Sequence, residues 1–175
     1  CSKWFHKYGI SQLTYNIIGL PHEDIHRALK TIKLNARIKS DRTIANIFYP
    51  YPGTKLYDIA KEAGYLPDVI PPDCRVPLRQ EQFPEHEVLF IEAYFMHFVK
   101  RYKWAFAMPR WLGRPYERFL DFRVTSRIVP HKFLVWVHDR YMGGRNKLRD
   151  FLVNHMPSLY LKLRMLRHHK RAKKN

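Results

Sequence analysis

Apolar positions in the first third of the chain follow two different periods. Residues 12–20 and 43–49 are β-branched and apolar runs of strand length, and each ends at a turn that contains Gly and Pro. Between them, apolar residues recur at helical spacing behind a candidate N-cap, Asp24. A second helix, with Thr54 as its candidate N-cap, follows the second run. The pattern predicts an α/β fold in which two parallel strands are joined through a helix.

The remainder of the chain has a different organisation. Residues 67–83 are irregular and rich in proline, which indicates a linker. Helical patterns follow from residue 84, with predicted breaks at Pro130 and at the Gly143-Gly144 pair. We therefore predict an α/β part over residues 1–66, a linker over 67–83 and a mainly α-helical extension over 84–175.

Charge divides the chain in the same way. The net charge is +17, but residues 1–74 carry 10 Lys and Arg against 7 Asp and Glu, whereas residues 75–175 carry 22 against 8. The basic surplus of the second part favours polyanionic partners such as nucleic acid or anionic lipid. The chain has two cysteines and no apolar run long enough to span a bilayer, which predicts a cytoplasmic protein. It begins with Cys1 in a helical pattern, so we expect the biological protein to extend upstream.

Two linked motifs lie at the ends of the predicted strands. The first is Gly19-Leu20-Pro21-His22-Glu23-Asp24, and the second is Tyr51-Pro52-Gly53-Thr54, followed by Leu56-Tyr57 and by Gly64-Tyr65. Together with Leu34-Asn35 in the intervening helix, they resemble the radical SAM superfamily, in particular the branch that often carries an upstream cobalamin-binding domain. In that branch the fifth barrel strand commonly ends in Gly-Leu-Pro-Gly-Glu-Thr, and the sixth leads into Tyr-Pro-Gly-Thr. The likeness covers roughly residues 4–66.

The resemblance implies the last two βα units of a partial TIM-like (β/α)6 barrel. Family members use a 4Fe–4S cluster to cleave S-adenosylmethionine into a radical that abstracts hydrogen, and the cobalamin branch often transfers methyl groups or rearranges carbon skeletons. By the same resemblance, the adenosyl group would be bordered by Ile18, Gly19, Leu20, Glu23, Phe48 and Tyr49. The helical extension would cover the substrate site, with a small-molecule or lipid-like substrate.

The chain departs from the family pattern at three points. The Cys-x-x-x-Cys-x-x-Cys triplet that holds the cluster is absent, so the cluster ligands, like any cobalamin domain, would lie upstream in the same polypeptide. His22 stands where the family has Gly, and Asp24 stands where it has Thr. We therefore expect the chain to be the C-terminal portion of a radical SAM enzyme. This portion alone would be catalytically incomplete.

Residues 22–26 also match the H-E-x-x-H pattern of zinc hydrolases. In that pattern His22 and His26 would hold zinc one helical turn apart, and Glu23 would activate water. This alternative lacks a third ligand nearby, and His22 directly follows a proline at a helix start. In the structural alternative, Glu23 complements the helix N-terminus and His26 is a solvent-facing residue.

The basic second part supports a further alternative without catalysis. Its arginines alternate with the aromatic residues Trp104, Trp111, Phe119, Phe122, Trp136 and Tyr141. This pattern favours a helical core with charged outer faces, but it would also suit a module that binds nucleic acid or an anionic membrane. The basic C-terminal helix around residues 159–166 is suited to lie on a membrane surface.

Overall fold

A computed structural model describes residues 2–126 and 128–172 of the chain. Its elements are the helix α1 (Ser2–Lys7), the strand β1 (Leu13–Ile18), α2 (Ile25–Arg37), β2 (Arg42–Ile47), α3 (Lys55–Glu62), α4 (Glu85–Ala107), α5 (Arg110–Thr125), α6 (His131–His155) and α7 (Pro157–Ala172). The described residues up to Val135 form one compact unit, and those from Trp136 onward form a second. Within the described residues, no helix combines the length and the apolar character that crossing a membrane requires.

The strands β1 and β2 are parallel neighbours, as the sequence predicts. They pair in register from Leu13 with Arg42 to Ile18 with Ile47, and the amide N–H of Phe48 continues the ladder by donating to the carbonyl of Ile18 over 2.8 Å. The predicted caps are also confirmed. The Asp24 side chain accepts a hydrogen bond from the amide of Arg27, and the Thr54 side chain accepts one from the amide of Tyr57. The turns after both strands therefore lie at the same edge of the sheet.

Helix α4 organises the core of the first unit, because it packs against α2, α5 and β2. Its buried side chains include Phe90, Phe95 and Tyr102, and they form one continuous cluster with Ile18 and with the apolar stripe of α2. A smaller cluster of Phe48, Ala60 and Leu78 lies beneath the turn after β2. The predicted division into parts 1–66 and 84–175 stays a prediction, but α4 packs directly on elements of the first part.

Two predictions about the helices are wrong. The Gly143-Gly144 pair does not break a helix, since α6 runs through it without a positive φ at either residue. Glycine lowers helix stability by about 1 kcal/mol relative to alanine but does not forbid helical dihedrals. The six aromatic residues that the pattern assigned to a helical core are all exposed, Trp111 to 74%. The core of the first unit is instead filled by other apolar residues of α2, α4 and α5.

Candidate functional site

The carboxyl edge of the sheet carries the predicted site, which we call the strand-end site. It consists of Ile18, Gly19, Leu20, Glu23, Phe48 and Tyr49 and the loops that hold them. The loop between β1 and α2 closes on itself: the amide of Leu20 donates to the Glu23 carboxylate over 3.0 Å, and the amide of Glu23 donates to the Leu20 carbonyl over 3.0 Å. Gly19 takes φ +76°, a left-handed conformation that glycine adopts without strain.

Glu23 is buried inside this loop, with only 7% of its surface exposed. Burial raises the pKa of its carboxyl, while hydrogen bonds from the amides of Leu20 and Gly19 work in the opposite direction. The carboxylate therefore satisfies the backbone of the loop and does not point into solvent. Its position makes Glu23 a residue that shapes the site.

His22 stabilises the same loop in a conformation that is unusual for its residue type. Its φ is +62°, in the region that favours glycine. The His22 amide donates to the side-chain oxygen of Gln80 over 2.8 Å, and its ring Nδ1 lies 3.0 Å from the Tyr65 hydroxyl. The family that the chain resembles has glycine at this position. In this chain His22 adopts the backbone conformation that glycine prefers.

Gln80 is a site residue that the sequence pattern does not reveal. It is buried, accepts from the His22 amide and donates its own side-chain N–H to the Leu20 carbonyl over 3.0 Å. Gln82 extends the network by donating to Gln80 and to the Tyr65 hydroxyl. Residues 67–83 carry no helix or strand period, so only the tertiary structure reveals that the predicted linker braces the strand-end site.

The six predicted site residues differ in what they present to solvent. Ile18 and Phe48 have buried side chains, so only their backbone is available at the edge. Gly19 lies against α4, where an added Cβ would come within 3.4 Å of Val88 Cγ1. Tyr49 is exposed, and its ring centroid lies 5.2 Å from that of Tyr51. The site therefore offers backbone atoms and two tyrosine rings, which suits binding through shape and stacking more than acid–base chemistry.

The arrangement that the H-E-x-x-H pattern requires is not present. Helix α2 begins at Ile25, so His22 precedes the helix and does not share a helical face with His26. Its ring is instead paired with Tyr65, with the two rings in edge-to-face contact at 5.2 Å. Among the described residues, no group of three or more His, Cys, Asp or Glu side chains is placed to hold a metal ion.

The two faces of the β1–β2 sheet contrast strongly. Polar Thr14 and Asn16 of β1 face helix α2, where the buried Asn35 bonds to both, over 2.6 Å and 2.7 Å. The opposite face, which we call the open sheet face, exposes apolar side chains from both strands. These are Leu13, Tyr15, Ile17 and Ile44, of which Tyr15 is 70% exposed. Arg42 and Asn46 of β2 are exposed on the same face, as the register partners of Leu13 and Ile17. A parallel sheet is normally covered on both faces, so the four apolar residues have the character of an interior surface.

Comparison of the chain with protein-family models, with curated proteins and with solved structures found no match.

Proposed function

We propose that this chain is the C-terminal portion of a radical SAM enzyme, and that it completes the barrel that binds S-adenosylmethionine. The open sheet face is the observation that carries the proposal. Two parallel strands with a helix layer on one side and apolar side chains on the other are not a self-sufficient sheet. Further strands beside β1 would curve this face into the interior of a barrel and remove its apolar residues from water.

The loops at the strand-end site support the same proposal. Both motif turns follow parallel strands and lie at the edge where α/β barrels bind their ligands. His22 stands where the resembling motif has Gly, and its φ of +62° lies in the region that glycine favours, which is compatible with that motif. Asn35, part of that resemblance, links α2 to β1. The cluster ligands and any cobalamin domain would be supplied by upstream sequence, and the cytoplasmic location stays a prediction from the cysteine content.

The first test is the sequence of the full-length gene product that contains this chain. The proposal requires a Cys-x-x-x-Cys-x-x-Cys triplet upstream of Cys1, and a reading frame without one would contradict it. The second test is chemical. After reconstitution with iron and sulfide under anaerobic reduction, the full-length protein is expected to release 5′-deoxyadenosine from S-adenosylmethionine.

A pair of tyrosine variants tests the strand-end site itself. Tyr49→Ala removes an exposed ring at the carboxyl edge of the sheet. We expect it to raise the KM for S-adenosylmethionine by about twofold to tenfold, since a stacked ring contributes about 0.5–1.5 kcal/mol. Tyr8→Ala removes another exposed ring, 66% exposed against 44% for Tyr49, which lies before the amino end of β1, and it is the control. Equal KM values for the two variants would show that this edge does not contact the cofactor.

A second candidate function, binding to an anionic membrane surface, is favoured by the exposed aromatic residues. In the first unit, Trp104, Trp111, Phe119 and Phe122 are exposed on a strongly basic part of the chain, a combination typical of membrane-interface contacts. Sedimentation with phosphatidylglycerol vesicles tests it, with phosphatidylcholine vesicles as control. Loss of binding in Trp111→Ser would support the candidate. Equal binding to both vesicles, or preference for an oligonucleotide competitor, would exclude it.

A further inference from the structure

A cavity of about 220 Å³ lies between α4, α5 and the first turn of α6, and we call it the α4–α5 pocket. Its floor is apolar and aromatic. Phe90 and Phe98 are buried and meet edge to face at 5.6 Å, and the buried Leu120 of α5 also lines the pocket. A pocket of about 150 Å³ is sufficient to hold a benzene ring, so the α4–α5 pocket has room for one aromatic ring.

The rim of the α4–α5 pocket is positively charged. Arg101 of α4 and Arg123 of α5 both line it, together with His97, and no Asp or Glu is among the lining residues that the structure describes. The Arg101 guanidinium makes two contacts of 3.4 Å, to His97 Nε2 and to the Tyr116 hydroxyl. Both contacts are near the outer limit of a hydrogen bond, and neither partner is a carboxylate.

The carboxylates of α5 lie on a different side of that helix. Glu117 and Asp121 hold the ammonium of Lys33 on α2, at 2.7 Å and 2.8 Å. Burial, followed by the charges of Arg101, Lys100 and Arg123, lowers the pKa of His97. The rim therefore has an excess of positive charge that an oxyanion would neutralise, and guanidinium groups are well shaped to hold carboxylate or phosphate oxygens.

We propose that the α4–α5 pocket binds a small ligand that carries an oxyanion on a single aromatic ring. The ring occupies the floor formed by Phe90, Phe98 and Leu120, and the oxyanion lies between Arg101 and Arg123. This inference does not depend on the proposed radical SAM function, because the pocket contains none of the strand-end residues. Its test therefore stands or fails separately.

The test is calorimetric titration of the full chain with phenyl phosphate at low ionic strength. Inorganic phosphate and phenol, titrated separately, represent the charged group and the ring alone. We expect phenyl phosphate to bind at least tenfold more tightly than either. If inorganic phosphate binds as tightly as phenyl phosphate, the pocket contributes only surface charge and the proposal is wrong.

Matched arginine variants locate the binding. Arg101→Gln and Arg123→Gln should each weaken phenyl phosphate binding by about tenfold. Arg118→Gln, on a part of α5 that does not line the pocket, should leave it unchanged. Arg101, Arg118 and Arg123 are all exposed, so circular dichroism is expected to show the same fold for every variant. Equal weakening by Arg118→Gln and Arg123→Gln would show that binding follows overall charge.

The His97 ring provides an independent readout by NMR. Phenyl phosphate should raise the pH at which the His97 ring protons titrate in the wild-type chain, because a bound anion stabilises the imidazolium. The shift should be smaller in Arg101→Gln at the same ligand concentration. A wild-type titration midpoint that does not move at saturating phenyl phosphate would place the ligand elsewhere and overturn the proposal.

Discussion

Lys33 links helix α2 to helix α5 through two partly buried ion pairs. Its side chain is only 16% exposed, and its ammonium lies 2.7 Å from Glu117 Oε1 and 2.8 Å from the Asp121 carboxylate. The Asp121 carboxylate also accepts from the hydroxyl of the buried Tyr102 over 2.7 Å. Burial acts to lower the pKa of Lys33, but the hydrogen bonds from its amine to the two carboxylates outweigh it and the net direction is upward.

We predict that Lys33→Met destabilises the chain by about 2–3 kcal/mol. A pair exposed to solvent contributes about 0–1 kcal/mol, and breaking a fully buried pair costs about 3–5 kcal/mol. Lys33 lies between these limits, because Glu117 and Asp121 keep 26% and 35% of their side-chain surface exposed. Methionine preserves the apolar stem, so the loss reports on the charge. Because the pKa of Lys33 is raised on folding, its contribution is fully present below about pH 10 and is lost as pH rises further.

The assay is urea unfolding followed by circular dichroism, with the exposed Lys30→Met on the same helix as control. Lys30→Met is expected to change the free energy of unfolding by less than about 0.5 kcal/mol. A double-mutant cycle of Lys33→Met with Asp121→Asn should give a coupling free energy of about 1–2 kcal/mol. The reasoning is refuted if the two lysine variants are equally stable, or if Lys33→Met and Asp121→Asn are additive.

Substitutions at three further positions test the strand-end site and the core. Gly19→Ala should destabilise the fold by about 1–3 kcal/mol, because φ +76° strains any L side chain; thermal unfolding measures it. Glu23→Ala should cost about 1–3 kcal/mol by leaving the Leu20 amide unpaired, whereas Glu23→Gln retains an acceptor and should cost less. Burial lowers the pKa of His131, so the unfolded chain binds the proton more tightly than the folded chain does. The free energy of unfolding should therefore decrease as the pH is lowered past about 6.5. His131→Phe should flatten that dependence in melting temperatures taken from pH 7.5 to 5.5.

Each of these expectations has a result that contradicts it. An unchanged melting temperature in Gly19→Ala would mean that the turn after β1 is not held in its left-handed conformation. Equal losses in Glu23→Ala and Glu23→Gln would assign the effect to the charge instead of the hydrogen bond. An acid-dependent loss of stability that persists fully in His131→Phe would assign the titration to another group.

Local chemistry made the strands and caps predictable. Asp24 and Thr54 act as caps because their side chains reach amides only three residues away, a geometry that the sequence specifies directly. The left-handed glycines Gly19 and Gly53 follow for the same reason, since the turns after the strands require positive φ. The parallel pairing is also local in origin, because a helix of thirteen residues separates the two strands.

Long-range partners explain what the sequence could not predict. Gln80 braces a loop 58 residues earlier in the chain, and no periodicity in its own segment marks it. Asn16 lies against α2 because it accepts a hydrogen bond from the buried Asn35, 19 residues later in the chain. Trp104 and Trp111 are exposed because other apolar residues fill the interface between α4 and α5. The hydrophobic period alone does not determine which apolar residues are buried there.

Gly113 shows how packing reverses a local preference, and its substitution gives the last prediction. On helix propensity alone, Gly113→Ala in α5 should stabilise the chain by about 1 kcal/mol. The added Cβ, however, would overlap the carbonyl oxygen of Ala105 at the end of α4, and a backbone atom cannot rotate away. Overpacking of this kind costs about 1–3 kcal/mol or more, so we expect net destabilisation. Gly144→Ala in α6, with no atom within 4 Å of the new Cβ, should instead raise the free energy of unfolding. If both variants are stabilised in urea titrations, α5 does not approach the end of α4 as closely as this structure has it.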